Sequence, residues 1–214
     1  YQCATWTEGA THGGAIDTGN EITTDTSGNI FDNVTDAERI AGDTEYRKIF
    51  FRNENADSYE GVLAWIEANT AATNDAITVL AGGSKSLQGN DSAAITGTVT
   101  WAANTSVAGS GTAFLSELAP GEKIFNSTDD TNSAAVAIAS IESDTALTLG
   151  GAYGGTTGAS KGCKVAPITG STFVAPDAYD HSDVLPLGDL AQNASKAIWI
   201  KRVVSAAGDG YTDN

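Results

Sequence analysis

Long apolar runs are missing from this 214-residue chain. No stretch approaches the roughly 20 residues that a membrane-spanning helix requires, so a helical span is excluded. Basic residues are scarce as well: 11 Lys and Arg stand against 27 Asp and Glu, a formal net charge of -16. Nucleic-acid binding draws on a basic stripe that displaces counterions, and its absence excludes a DNA-facing role. Cysteine is confined to Cys3 and Cys163, with no CxxC spacing for structural zinc. A bridge between the two would close a very long loop, and two unpaired, buried thiols are expected. The only histidines are His12 and His181. Asp180-His181-Ser182-Asp183 sets the ingredients of a triad side by side, but sequence neighbours seldom assemble one, and no GxSxG elbow exists. The glycine-rich pieces Gly150–Gly155 and Ala81–Ser84 lack the Lys and following helix of a phosphate loop and read as turns. The chain opens on Tyr1 rather than Met, as a processed or partial chain would, which leaves open whether a signal peptide preceded it.

What is present is the grammar of strands and turns. Hydrophobic residues make up 41%, enough for a core, while charge is low and 24 glycines punctuate the chain. Strand-like runs occur at Tyr46–Arg52, Gly61–Glu67, Ala76–Ala81, Thr98–Trp101, Val136–Ile141, Ala146–Leu149, Ser171–Val174 and Ala197–Val204. Gly109-Ser110-Gly111 and Pro120-Gly121-Glu122 are turn signals that hold the short apolar run Ala113–Leu118 between them. Helical signals are brief: one turn is expected at Asp36–Arg39 and another at Asp189–Gln192. The predicted fold class is all-β: an Ig-like β-sandwich with an inserted small β-barrel-like module and an extended N-terminal arm.

The boundaries follow from the last strand. Ala197–Val204 is too apolar to stand alone, and its candidate partners lie upstream of the module, so the sandwich is predicted to be discontinuous. Residues 40–91 and 168–214 form it, residues 92–167 are the insertion, and residues 1–39 are the arm, lying across a neighbouring subunit or acting as a lid on its own domain. In Gly61–Glu67, Val62, Ala64 and Ile66 point to one face, Leu63 and Trp65 to the other. A strand apolar on both sides belongs inside a sandwich or inside an interface.

Several segments resemble proteins of bacteriophage particles. Gly109–Leu118 (GSGTAFLSEL), Pro120–Ile124 (PGEKI) and Ile141–Leu149 (IESDTALTL) are similar to compact β-modules of virion proteins. Gly13–Thr18 (GGAIDT), Glu45–Asn55 (EYRKIFFRNEN) and Ala197–Val204 (AIWIKRVV) resemble segments of phage structural proteins with a β-sandwich core. The resemblance covers most of the chain but rests on structural motifs, with no catalytic ones. It implies a virion component and does not separate capsid decoration from tail attachment.

The expectations for sites follow. No catalytic residue, cofactor site or metal site is predicted. The loop carrying Asp177, Asp180 and Asp183 and the cluster Asp129-Asp130-Thr131-Asn132 could each donate oxygens to calcium, but neither follows the DxDxDG pattern and both read as solvated loops. With 27 acids, a carboxylate pair suited to glycoside hydrolysis arises by accident and carries no weight without a fold. Trp65 and Trp199 sit in apolar strands and are expected in the core. Trp6, Ile16 and Trp101 are the candidate partner contacts, with ordinary packing the alternative for both tryptophans. The leading expectation is a non-enzymatic virion structural protein on the outer surface of a tailed phage. It would decorate and stabilise the capsid, with the major capsid protein and copies of itself, as a homo-oligomer (trimer), as partners; a cell-surface glycan is a further candidate, and nucleic acid and membrane are not partners. The alternatives are a tail- or fibre-associated adhesin with a carbohydrate-binding module, and a secreted surface protein of β-sandwich repeats.

Overall fold

The structure, a computed structural model, describes residues 1–23, 26, 28–67, 75–89, 93–176 and 184–206. In chain order its elements are β1 (Gln2–Thr5), β2 (Gly13–Asp17), α1 (Asp36–Ala41), β3 (Asp43–Arg52), β4 (Tyr59–Ala64) and β5 (Asp75–Gly82). Next come β6 (Ala93–Ala94), β7 (Thr98–Trp101), β8 (Ser106–Ser110), α2 (Phe114–Glu117), β9 (Lys123–Asn126), β10 (Val136–Ser143), β11 (Ala146–Leu149), β12 (Gly158–Lys161) and β13 (Cys163–Val165). The last two are β14 (Leu185–Leu190) and β15 (Ser195–Val204). The fold is all-β and sandwich-like, built from antiparallel sheets, with two short α-helices and no closed barrel. The chain divides into two units: Tyr1–Gln2, Asp17–Leu80 and Phe173–Asn214 form one, Cys3–Ile16 and Ala81–Thr172 the other.

The first unit is organised by β3 and β15. They pair along their whole lengths, from Asp43 opposite Val204 to Arg52 opposite Ser195, and β5 lies beside β15. One face of this pair presents Tyr46, Lys48 and Phe50 with Ala197 and Trp199, all buried. The Lys48 ammonium is fully buried, 5.4 Å from the Phe50 ring centroid and 5.5 Å from that of Trp199, its cross-strand neighbour. Aromatic faces are electron-rich and attract a desolvated cation. The opposite face holds Glu45 against Arg202, an ion pair between a buried carboxylate and a half-buried guanidinium. β4 and β14 form a separate two-stranded ribbon.

Within the expected arm, Gln2–Thr5 and Gly13–Asp17 are strands. Tyr1 donates its ammonium to the Phe50 carbonyl at 2.9 Å, and Gln2 pairs with Ile49. Further on, Arg47 and Arg202 lie over the Phe31 ring at 5.5 and 4.8 Å, and donate to the carbonyls of Ile30 and Asp32. These contacts fasten residues 30–32 to their own unit. The predicted turn at Asp36–Arg39 is α1, started by a capping box in which Thr35 and Glu38 exchange side-chain acceptors for backbone N–H groups. The turn predicted at Asp189–Gln192 is instead the end of β14, because Leu190 is a buried strand residue opposite Tyr59. Ser171–Val174 forms no strand of its own and contributes one bridge, Val174 to Val79.

The second unit is an eight-stranded antiparallel sheet in the order β12-β7-β8-β11-β10-β9-β13-β6. Alternation buries Val99 and Trp101, Leu147 and Leu149, and Cys163 and Val165 on one side, where Phe114, Ile124, Ile138 and Tyr153 complete a single core. The sheet does not close into the predicted barrel. One terminal strand, β6, is two residues long, and the other, β12, is interrupted between Gly158 and Lys161, so neither end offers a full ladder. The apolar run Ala113–Leu118 becomes the single turn α2, with Phe114 buried. Two buried carboxylates tie this unit together. Glu122 accepts from the N–H groups of Gly83 and Ala119 at 2.8 and 3.0 Å, and Glu117 accepts from Thr96 and lies 3.4 Å from the Lys85 ammonium.

Candidate interaction surface

The predicted contact residues are not brought together. Trp101 is 2% exposed and stacks on Tyr153, with ring centroids 4.3 Å apart. It is a core residue, as the packing alternative had it, and offers no surface contact: its position in β7 falls on the inner side of the alternation. Trp6 is half-buried, tilted against His12 at 5.8 Å, and its carbonyl accepts from His12 Nδ1 at 2.9 Å. That bond fixes the tautomer, because a carbonyl can only accept. His12 Nε2 then faces Cys3 Sγ at 3.9 Å, both groups fully buried. Ile16 is half-buried in β2. Cys163 is a buried thiol whose pKa is pushed up by burial, with the Glu117 charge adding, and Cys3 is likewise a buried thiol outside any disulfide. Neither has the electropositive, open setting of a reactive cysteine.

The acidic cluster of the second unit is occupied by its own neighbours. Asp130 accepts from the Tyr153 hydroxyl at 2.6 Å and from the Thr156 N–H and hydroxyl at 2.7 and 2.8 Å. Asp129 meets Lys161 Nζ at 2.8 Å and Asn126 Nδ2 at 3.2 Å. The carboxylates thus hold the turn after β9, and no group of three or more metal-ligating side chains occurs among the described residues. The segment with Asp177, Asp180, His181 and Asp183 lies outside them.

These bonds have a pH consequence. The Tyr153 hydroxyl, followed by Thr156, holds the Asp130 carboxyl below its ordinary value, and Lys161 with Asn126 does the same for Asp129. A depressed folded-state pKa means that the unfolded chain takes up the proton first as pH falls. The contribution is complete above the unfolded value of about 4 and is lost as pH drops through the folded one. Glu45, pushed up by burial, works with the opposite sign. Thermal melts at stepped pH therefore read Asp130 as a difference. Asp130→Asn is expected to melt earlier than wild type at neutral pH, with the gap closing below about pH 4. A gap independent of pH contradicts the assignment.

The surface that does stand out belongs to the β4–β14 ribbon. Its inner face carries Leu185, Leu187 and Leu190, all buried, with Val62, Ala64 and Ile66 half-buried. Its outer face carries Leu63 and Trp65, exposed by 41 and 44%, while Tyr59, 47% exposed, lies opposite Leu190 beyond the register shift. Pro186, also exposed, lies directly opposite Leu63. The expectation of Trp65 as a core residue is thereby corrected: a two-stranded ribbon has one face for its own unit, and Trp65 falls on the other. The ribbon is braced. The Asn53 side chain donates to the Asp57 and Leu190 carbonyls at 2.7 and 3.0 Å, and Asp189 Oδ1 accepts from Gly61 N–H at 2.9 Å. Gly61 and Gly188 take left-handed φ values of 60° and 72°, where the ladder shifts register. An aromatic strip on a pre-organised backbone is suited to capturing another surface. Sequence reasoning carried its signal, apolar residues on both faces of Gly61–Glu67, but could not tell which face is covered within the chain. No described helix is long and apolar enough to cross a membrane. No protein-family model matches the chain, and neither the curated proteins nor the solved structures contain a match.

Proposed function

We propose that the chain is a non-enzymatic structural protein of a tailed-phage particle, one that decorates the capsid exterior and stabilises it. The observation that carries this reading is the exposed strip of Leu63, Trp65 and Pro186 on a braced ribbon. Large apolar side chains held outward carry an unfavourable hydration free energy that is relieved when another surface covers them. The segments similar to phage structural proteins supply the kind of assembly, and the charge of -16 suits a surface turned away from packaged DNA. Stabilisation would come from many copies, each bound modestly and coupled through the lattice.

Particles made without the chain are expected to release their DNA at lower temperature, with the loss reversed by adding the purified protein. An unchanged release temperature, combined with poorer attachment to cells, would favour the tail-associated adhesin.

A further inference from the structure

We propose that the outer face of the β4–β14 ribbon docks a protein surface with an apolar centre and a rim of lysine and arginine, and not a second copy of this chain. The inference rests on the structural reading above for where the partner is met, and adds the partner's chemistry.

The charge around the strip has one sign. From Asn53 to Glu67 the chain contains Glu54, Asp57, Glu60 and Glu67 and no Lys or Arg. From Val184 to Ala194 it contains Asp189 and again no Lys or Arg. All five carboxylates are on exposed residues. Among the described residues, Glu54 alone of the five has a basic group in ion-pair range, Arg52 at 3.7 Å from the adjoining strand. The ribbon is therefore an apolar centre, Leu63, Trp65 and Pro186, inside an acidic rim.

That pattern selects the occupant. Rim charges steer encounter and reject like-charged partners, while a buried aromatic centre supplies most of the binding energy. Two copies joined through this face would set five carboxylates against five, on chains that each carry -16. Nucleic acid is rejected by the same rim. A basic rim gains twice, through steering and through neutralising acids that otherwise repel one another. The bracing of Asn53 and Asp189 matters here because a backbone already ordered loses little entropy on binding.

The test uses the full chain and three labelled peptides that share one Leu/Trp face and differ in their flanking residues: Lys, Gln or Glu. In fluorescence anisotropy the Lys peptide is expected to bind about tenfold tighter than the Glu peptide, with the difference shrinking as salt rises. Leu63→Ser and Trp65→Ser are each expected to weaken it about tenfold, and Glu60→Gln with Glu67→Gln to reduce the Lys preference. Pro186→Ser is a second variant should either serine change alter the melting curve. A Lys preference untouched by these changes places the binding elsewhere and overturns the proposal. So does a dimer in sedimentation that Leu63→Ser dissolves, or glycan-array binding that Trp65→Ser abolishes. The peptides involve no particle, so the two readings fail separately. A chain that binds the Lys peptide but no capsid overturns decoration alone. A decorated capsid indifferent to Leu63 and Trp65 overturns this proposal alone.

Discussion

Trp199→Ala is expected to lower the unfolding free energy by about 3–5 kcal/mol, roughly a third to a half of the stability of a small domain of about 10 kcal/mol. Trp199 is fully buried in the middle of β15 and directly opposite Lys48 on β3. Truncation leaves a cavity that a ten-residue ladder on its own strand cannot collapse into. It also removes one of the two aromatic faces beside a buried ammonium, whose desolvation is otherwise costly. Trp199→Phe keeps a ring face and most of the apolar contact, and is expected to cost less than half as much. Urea unfolding measures both. Near-equal losses would mean that the ring face contributes nothing toward Lys48, and a negligible loss for alanine would contradict the packing itself.

The second large effect is expected from the smallest possible change. At Gly83 an added Cβ would sit 2.1 Å from the Glu117 carbonyl oxygen and 2.5 Å from the Leu118 Cα, both of them backbone atoms with no rotamer to yield. Residues 84 and 85 donate to the carbonyls of Ser116 and Glu117, so the two segments run in contact. Gly83→Ala must part them. The N–H of Gly83 is also one of the two backbone donors to the fully buried Glu122 carboxylate, and separation weakens that bond. Overpacking at 1–3 kcal/mol and a weakened hydrogen bond to a buried charge at 1.5–3 together give roughly 3–5 kcal/mol. Glu122→Gln removes the charge, so the two changes are expected to be less than additive in a double-mutant cycle. Full additivity would mean that Gly83 matters for space alone. The expectation extends to Gly83→Ser but not to Gly151, whose Cβ would meet nothing.

The strands were legible where chemistry alternates and where a run is apolar throughout. Tyr46–Arg52 and Ala197–Val204 were recognisable as strands, and the argument that the last one needs an upstream partner points to β3, its neighbour in the structure. The two tryptophans show the limit. Trp65 and Trp199 sit in sequences of similar apolarity, yet one is 44% exposed and the other fully buried. Local pattern sets which side chains share a face, while the number of layers packed on that face is a property of the whole fold. Asp189–Gln192 shows the same thing in reverse. Its short polar-apolar pattern suits a helical turn, and pairing with β4 overrides it. How residues 1–39 pack is not legible locally: Phe31 lies under Arg47 and Arg202, a contact that no spacing in residues 1–39 announces. Of the site, the apolar double face of Gly61–Glu67 is visible, but Pro186 is not, since only the register of β4 against β14 places it beside Leu63.

The most direct measurement is imaging, at near-atomic detail, of virions that carry the chain beside virions that do not. Additional density is expected on the capsid exterior, with the Leu63, Trp65 and Pro186 face turned toward basic residues of the lattice. Density confined to the tail would contradict the decorating role, and lattice-bound density with that face open to solvent would contradict the docking surface.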